Sequence, residues 1–517
     1  MKIDRRCFVS ALLGSAALPM LRVKLYAASP SNAASVAALA ADPRRPQFHL
    51  LPPANWMNDP NGPIYWNGQY HMFYQYNPGG AYWGDMHWGH AISPDMVRWR
   101  HLSVALAPTP GGPDAEGCFT GTAVVQDGRV TILYTGVRES TLDQATIKDG
   151  HPPLRETQCL AVADNPDLTS WTKAAAPVLA APPPEFQVNG FRDPSPWKQG
   201  DWWYMVTACG IADQGGAVLL YRSKDLRAWE FLHILARRDR EGPARFDSFD
   251  PWEVWECPEF FPLGDWHVLI YSTGGKTYWQ SGKLDEKKMT FVPEQSGLID
   301  YGTYYAAKTQ LDKAGNRVIW GWITETRPLD EYKAAGWAGL MSLPRVLSAA
   351  ADGTLRFTVA PEVEQLRQKR RSLSVSLDKG EMQQQIDSMR LEGCSGEIQC
   401  TVRRSTEPFA LNLSDSESGA TPWLILEYDP LHRNQVVIDG RPVPVLLSES
   451  EDLEFHLYAD ASVIELLVNG QIAFTKRFYY KGNSAPNLRL KFSGKSANVV
   501  SLSVWQLSPI SADRLTT

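Results

Sequence analysis

Basic residues are in deficit: 51 Lys and Arg face 57 Asp and Glu, for a formal net charge of -6 with the two signs interspersed. No basic stripe of the kind a phosphate backbone needs is present, so nucleic acid is excluded as a partner. Apolar runs of spanning length are missing too, so no membrane association is expected once the leader is removed. Cysteine is sparse. Of seven, Cys7 falls in the leader and the other six show no C-x-x-C spacing; Cys394 and Cys400 alone lie close enough for a local bridge, and most of the rest are expected as buried thiols. No His/Cys/carboxylate cluster has metal-ligand spacing, and no glycine-rich loop opens a βαβ unit, so neither a metal nor an organic cofactor is expected. His87 and His90, three apart in a Trp-rich stretch, read as packing.

Aromatic residues, by contrast, are plentiful, with 19 Trp and 19 Tyr in 517 residues. Most must pack cores, but the same flat faces stack on sugar rings. The chain opens with Arg5-Arg6, then an apolar run from Phe8 to about Leu21. That pattern is an export signal of the twin-arginine type, with Tyr26-Ala27-Ala28 a candidate cleavage region. Residues 1–42 are therefore expected to be signal and linker, and the mature protein to be exported to the periplasm or medium.

From Arg44 to about Ala360 the chain is short β-type runs cut by Gly, Pro, Asn and Asp. A fragment recurs within it. Ala91–Trp99, Ala161–Trp171 and Leu220–Trp229 each run from a β segment through a polar turn to a hydrophobic residue and a tryptophan. Their closing aromatics are 72 and 58 residues apart, and a looser echo ends 62 further on at Phe291. A repeat of this size, built of about four strands, is the mark of a propeller blade, and residues 43–360 hold five. Residues 361–375 read as a helical linker and 376–517 as a β-sandwich, with alternating stretches such as Val463–Val468 closed by Asn469-Gly470. The expected fold is all-β: a five-bladed β-propeller followed by a C-terminal β-sandwich.

Three acidic stretches carry the chemistry. Trp56-Met57-Asn58-Asp59-Pro60-Asn61-Gly62 sets a carboxylate just before a rigid Asn-Gly turn. Gly190-Phe191-Arg192-Asp193-Pro194 sets one beside an arginine, and Trp255-Glu256-Cys257-Pro258 sets one between aromatic and thiol. Strand alternation would send Glu253 and Glu259 to the face opposite Glu256. Buried carboxyls of this kind are either satisfied core groups or tuned acids.

These three motifs, in this order, resemble glycoside hydrolase family 32, the invertases, levanases and inulinases. Arg45–His49, Phe73–Pro78, Trp88–Ala91, Phe119–Gly121, Tyr305–Ala307 and Gly336–Arg345 also look like blocks of that family. The resemblance implies the same propeller and sandwich, a sucrose or fructan substrate, and release of terminal fructofuranosyl units. By match to its motifs Asp59 is the nucleophile, Glu256 the acid/base and Asp193 the carboxylate that steadies the transition state. Glu256 would rest protonated, Arg192 would keep Asp193 charged, and activity would be bell-shaped on the acid side of neutral. Trp56, Asn58, Gln75, Trp83, Phe119, Thr120, Arg192 and Trp322 match sugar-pocket positions. Thr120 replaces the family's commoner Ser, and Tyr304 stands where an acidic-aromatic pair is common, which puts the rim around the leaving group in question. The same trio also serves fructosyl transfer, and a sugar-binding propeller without catalysis is a third reading.

Overall fold

The structure, a computed structural model, describes residues 33–149, 151–238, 253–373, 379–404, 407–415, 422–448, 450–495 and 498–511. Five antiparallel sheets follow one another along the chain, each starting with the strand nearest the axis. Their first strands are Asn55–Trp66, Gly117–Gln126, Val188–Gln199, Glu256–Leu263 and Tyr305–Leu311. These are the inner strands of blades I to V.

The ring is held by cores shared between neighbouring blades. In the second strand of blade IV, Val268 and Ile270 face blade V while Leu269 and Tyr271 face blade III. Period-2 alternation thus makes the run apolar on both faces, because both faces are covered. Tyr134 packs toward blade I and Leu133 toward blade III in the same manner. The last interface joins Val318 and Trp320 of blade V to Met57, Tyr70 and Met72 of blade I. A further link comes from Trp337-Ala338, which pairs in parallel with Asn55-Trp56.

The sequence repeat is the turn before each outermost strand. Asp95 Oδ1 accepts from the amides of Val97 and Arg98, and Asp225 Oδ1 from those of Arg227 and Ala228. The hydrophobic residue of each copy, Met96, Leu168, Leu226 or Met289, sits buried at positive φ. The following indole caps its carbonyl in the first three copies. An unbranched apolar side chain at a left-handed position is costly alone, and burial between blades offsets it.

The C-terminal module is two six-stranded sheets around one core that includes Leu411, Leu426, Phe455, Leu466 and Phe492. Two expectations need correction. The helical linker over 361–375 is one 3-10 turn, Pro361–Leu366, and Arg367–Ser372 is already an edge strand of the sandwich. The flexible linker expected before residue 42 ends in a helix, Ala33–Ala41, whose Leu39 packs against Leu51, Trp337 and Val463. The rest of that leader lies outside the described residues. Cys394 and Cys400 form no bridge; the six cysteines beyond the leader are free and buried.

Candidate active site

Each inner strand breaks register against its neighbour at one end. The breaks fall between Met57 and Pro60, Phe119 and Gly121, Arg192 and Ser195, Glu256 and Glu259, and Tyr305 and Lys308. A bulge re-aims the side chains it carries. Here those residues are Asn58 and Asp59, Thr120, Asp193, Cys257, and Ala306, with Asp193, Cys257 and Ala306 all at positive φ. Five bulges at one level turn polar groups from separate blades toward a common point. The bulge also ends simple alternation between Glu256 and Glu259. Glu259 turns to the Thr309 amide and Lys308, whereas Glu253 lies ahead of the strand and takes the Gly216 amide and Arg238.

Asp59 is 4% exposed and both of its oxygens accept hydrogen bonds. Asn58 Nδ2 donates to Oδ1 at 2.9 Å, and Asn58 is itself fixed by the Trp56 indole at 2.7 Å. Thr120 Oγ1 donates to Oδ2 at 2.8 Å, so the hydroxyl that Thr shares with Ser is in use. The Cys257 thiol reaches the same oxygen at 3.5 Å, while the Cys257 amide donates to Asp193 Oδ2 at 2.8 Å. One residue of blade IV therefore touches a carboxylate of blade I and another of blade III.

Glu256, 5% exposed, receives the Tyr305 hydroxyl on Oε2 and lies 3.4 Å from Arg192 Nη2 on Oε1. Burial pushes Asp193 up to about 7, with the charges of Glu256 and Asp59 adding to the rise and Arg192 and the Cys257 amide opposing it. Arg192, expected to keep Asp193 charged, opposes this rise without cancelling it. Its guanidinium bridges Glu156 and Glu256, and against the cost of burial these carboxylates, with Asp193, keep it charged.

Aromatic rings wall the site. Trp56, Trp83, Phe119, Trp322 and Tyr332 form one cluster, with Trp322 edge-on to Trp56 at 5.8 Å and Trp83 edge-on to Phe119 at 5.8 Å. Trp322 also packs on Tyr305, and its buried indole N–H has no acceptor among the described residues. Gln75 is anchored from behind, donating to the Cys118 carbonyl at 3.0 Å. All eleven sequence-derived positions thus fall in this one region. Tyr304 does not: it is fully buried under Arg345, against Gly321, and takes no part in a rim. Tyr305, Glu156 and Tyr332 were not assigned roles from the sequence. Only Tyr305 carried a signal, as part of a family block. Among the described residues no group of three His, Cys, Asp or Glu side chains is arranged to hold a metal ion.

Three buried carboxyls from the inner strands of blades I, III and IV, walled by aromatic rings, are the arrangement of a carbohydrate-processing propeller. Comparison with known proteins gives the family. Residues 49–359 match the glycosyl hydrolases family 32 N-terminal domain and residues 362–506 the family's C-terminal domain, and the chain belongs to that family. It is 34% identical to a sucrose-6-phosphate hydrolase of Escherichia coli, over 84% of this chain and 89% of that one. It is also 34% identical to a raffinose invertase of Escherichia coli, over 90% of this chain and 95% of the other. Among solved structures, fructan 1-exohydrolase IIa of Cichorium intybus superposes with a TM-score of 0.76 at 25% identity, covering 90% of this chain and 98% of that one. A family 32 β-fructofuranosidase of Bombyx mori gives 0.72 at 28% identity, covering 92% and 97%.

Proposed function

We propose that the protein hydrolyses terminal β-fructofuranosyl units from sucrose or fructans by double displacement, with Asp59 as nucleophile and Glu256 as acid/base. The observation that carries this reading is the shared contact of Cys257, which brings the blade I, III and IV carboxyls to one point. Asp59 is oriented by three donors, so its oxygen is aimed before substrate arrives. Tyr305 and Arg192 hold Glu256 where it can protonate the leaving oxygen and then activate water. Asp193 faces both, and negative charge there gains most as the ring becomes oxocarbenium-like. Names of relatives support the substrate class: sucrose-6-phosphate hydrolase, raffinose invertase and fructan 1-exohydrolase.

Incubation with sucrose, inulin and levan, followed by assay of free fructose and glucose, tests the reading. Fructose release from sucrose and at least one polymer is expected. Chain growth in place of release would make the enzyme a fructosyltransferase, and silence on all three would make it a binding module. Cleavage of levan as well as inulin would extend the reading to β-2,6 linkages. We also infer export, supported by Arg5-Arg6 and the apolar run that follows.

A further inference from the structure

We propose that Glu156 is a positioning residue for the reaction: it takes one edge of the Arg192 guanidinium, so that only the other edge is presented to Glu256. Glu156 lies on the third strand of blade II, Leu154–Ala163, and is fully buried. Its Oε1 receives Arg192 Nη1. Its Oε2 accepts Thr146 Oγ1 and the Phe191 amide, each at 2.8 Å. The carboxylate is thus clamped from three sides, and one of the clamps is the backbone next to Arg192 itself. Arg192 is the site residue that Glu156 holds.

A buried carboxylate spent on an arginine already close to Glu256 has a physical consequence. Glu256 must be protonated to act as acid, and a cation 3.4 Å away opposes that by favouring its charged form. Glu156 shares the cation and weakens its hold. Among the described residues, Arg192 of blade III and the Tyr305 hydroxyl of blade V contact Glu256, and the carboxyl of Asp193 is coupled to it. Thr146 extends the chain outward, since it stands on the connection between the second and third strands of blade II.

This role rests on Glu256 being the acid/base. The test is the pH dependence of kcat/KM on sucrose for wild type, Glu156→Gln and Glu156→Asp. In Glu156→Gln the alkaline limb moves to lower pH by about one unit, because more of the Arg192 charge now falls on Glu256. In Glu156→Asp, charged but one methylene shorter, the limb moves the same way by less. Should the Gln variant fail to fold, the Asp variant carries the test alone. Activity lowered equally at every pH, with the limb unmoved, would overturn the proposal by making Glu156 a packing residue. Wild-type turnover measured in parallel separates the two readings. An active wild type with unmoved limbs in the variants overturns only the role of Glu156, whereas an inactive wild type overturns the reaction and the role together.

Discussion

At the scale of single residues, the site is a problem of keeping three nearby carboxyls in different states. Asp59 is surrounded by donors from Asn58, Thr120 and Cys257, Glu256 by a hydroxyl and a cation, and Asp193 by one backbone amide and the Arg192 charge set against burial and two neighbouring carboxylates. Glu256→Gln keeps the shape but cannot pass a proton, and is expected to lose about 10²–10⁴-fold in kcat on sucrose. A substrate with an acidic leaving group should recover most of the first step, because it needs no protonation on departure. Stopped-flow release of that group checks this. The acid trio was legible in the sequence because each member sits in a rigid local frame: an Asn-Gly turn, an Arg-Asp-Pro step and a Cys-Pro bulge. Glu156 and Tyr332 were not, since nothing near them in the chain marks an approach that only the blade packing creates.

At the scale of elements, each strand of a blade is bounded by two cores, and polar side chains caught between them are held in one protonation state. Blade I carries three such histidines. Burial holds His71 and His101 down to about 4 and His90 well below its usual value, with His71 Nδ1 and His90 Nε2 3.0 Å apart. A histidine with a depressed native pKa lends stability that is full above about 6.5 and is lost as the pH falls through 4. His71 and His101 should each cost about 2 kcal/mol by pH 5, and His90 acts in the same direction. Asp193 opposes this, because its raised native pKa makes the fold gain as the pH falls from about 7 toward 3.8. The three histidines outweigh Asp193 and the small further gain from His49, so the urea midpoint should fall between pH 7 and pH 5, and His71→Phe should flatten that slope. Sequence spacing identified His87 and His90 as packing residues, but the His71 to His90 contact required the register of two strands. The repeat, in contrast, was readable because blades I to IV share the same turn, with an aspartate at Asp95 and Asp225 and a buried left-handed residue after it.

At the scale of the whole molecule, propeller and sandwich are joined by a buried ionic network. His49 lies between Asp460 at 2.8 Å and Glu465 at 2.9 Å, and Arg345 joins Glu465 to Asp300, all with fully buried side chains. Asp300 also takes the Thr475 amide and hydroxyl, so both modules contribute donors and acceptors. Burial alone would strip His49 of its proton, but hydrogen bonds to Asp460 and Glu465 lift it to about 9. Despite the same burial, the charges of Arg345 and His49 hold Glu465 down to about 2. His49 therefore lends stability that is full below about 6.5 and lost as the pH rises through 9, and Glu465 lends stability lost as the pH falls from about 4.5 toward 2. Arg345→Met takes the arginine from buried Asp300 and leaves Glu465 with His49 as its cation; it should cost about 3–5 kcal/mol, read as a lower Tm in calorimetry, with the sandwich and propeller transitions drawn apart. The sequence announced two modules by their differing strand patterns. It could not announce their union, because His49, Asp300, Arg345 and Glu465 are distributed over more than 400 residues and each looks ordinary in its own strand.

The account turns on fructosyl transfer to one side chain. Wild-type protein mixed with sucrose, quenched in acid within the first turnover and digested, can be read by mass spectrometry for a peptide heavier by one fructosyl residue. The modification is expected on Asp59, and its absence in Asp59→Asn should accompany loss of fructose release. Fructose release at the wild-type rate by Asp59→Asn, or a fructosyl group carried on a different carboxylate, would contradict it.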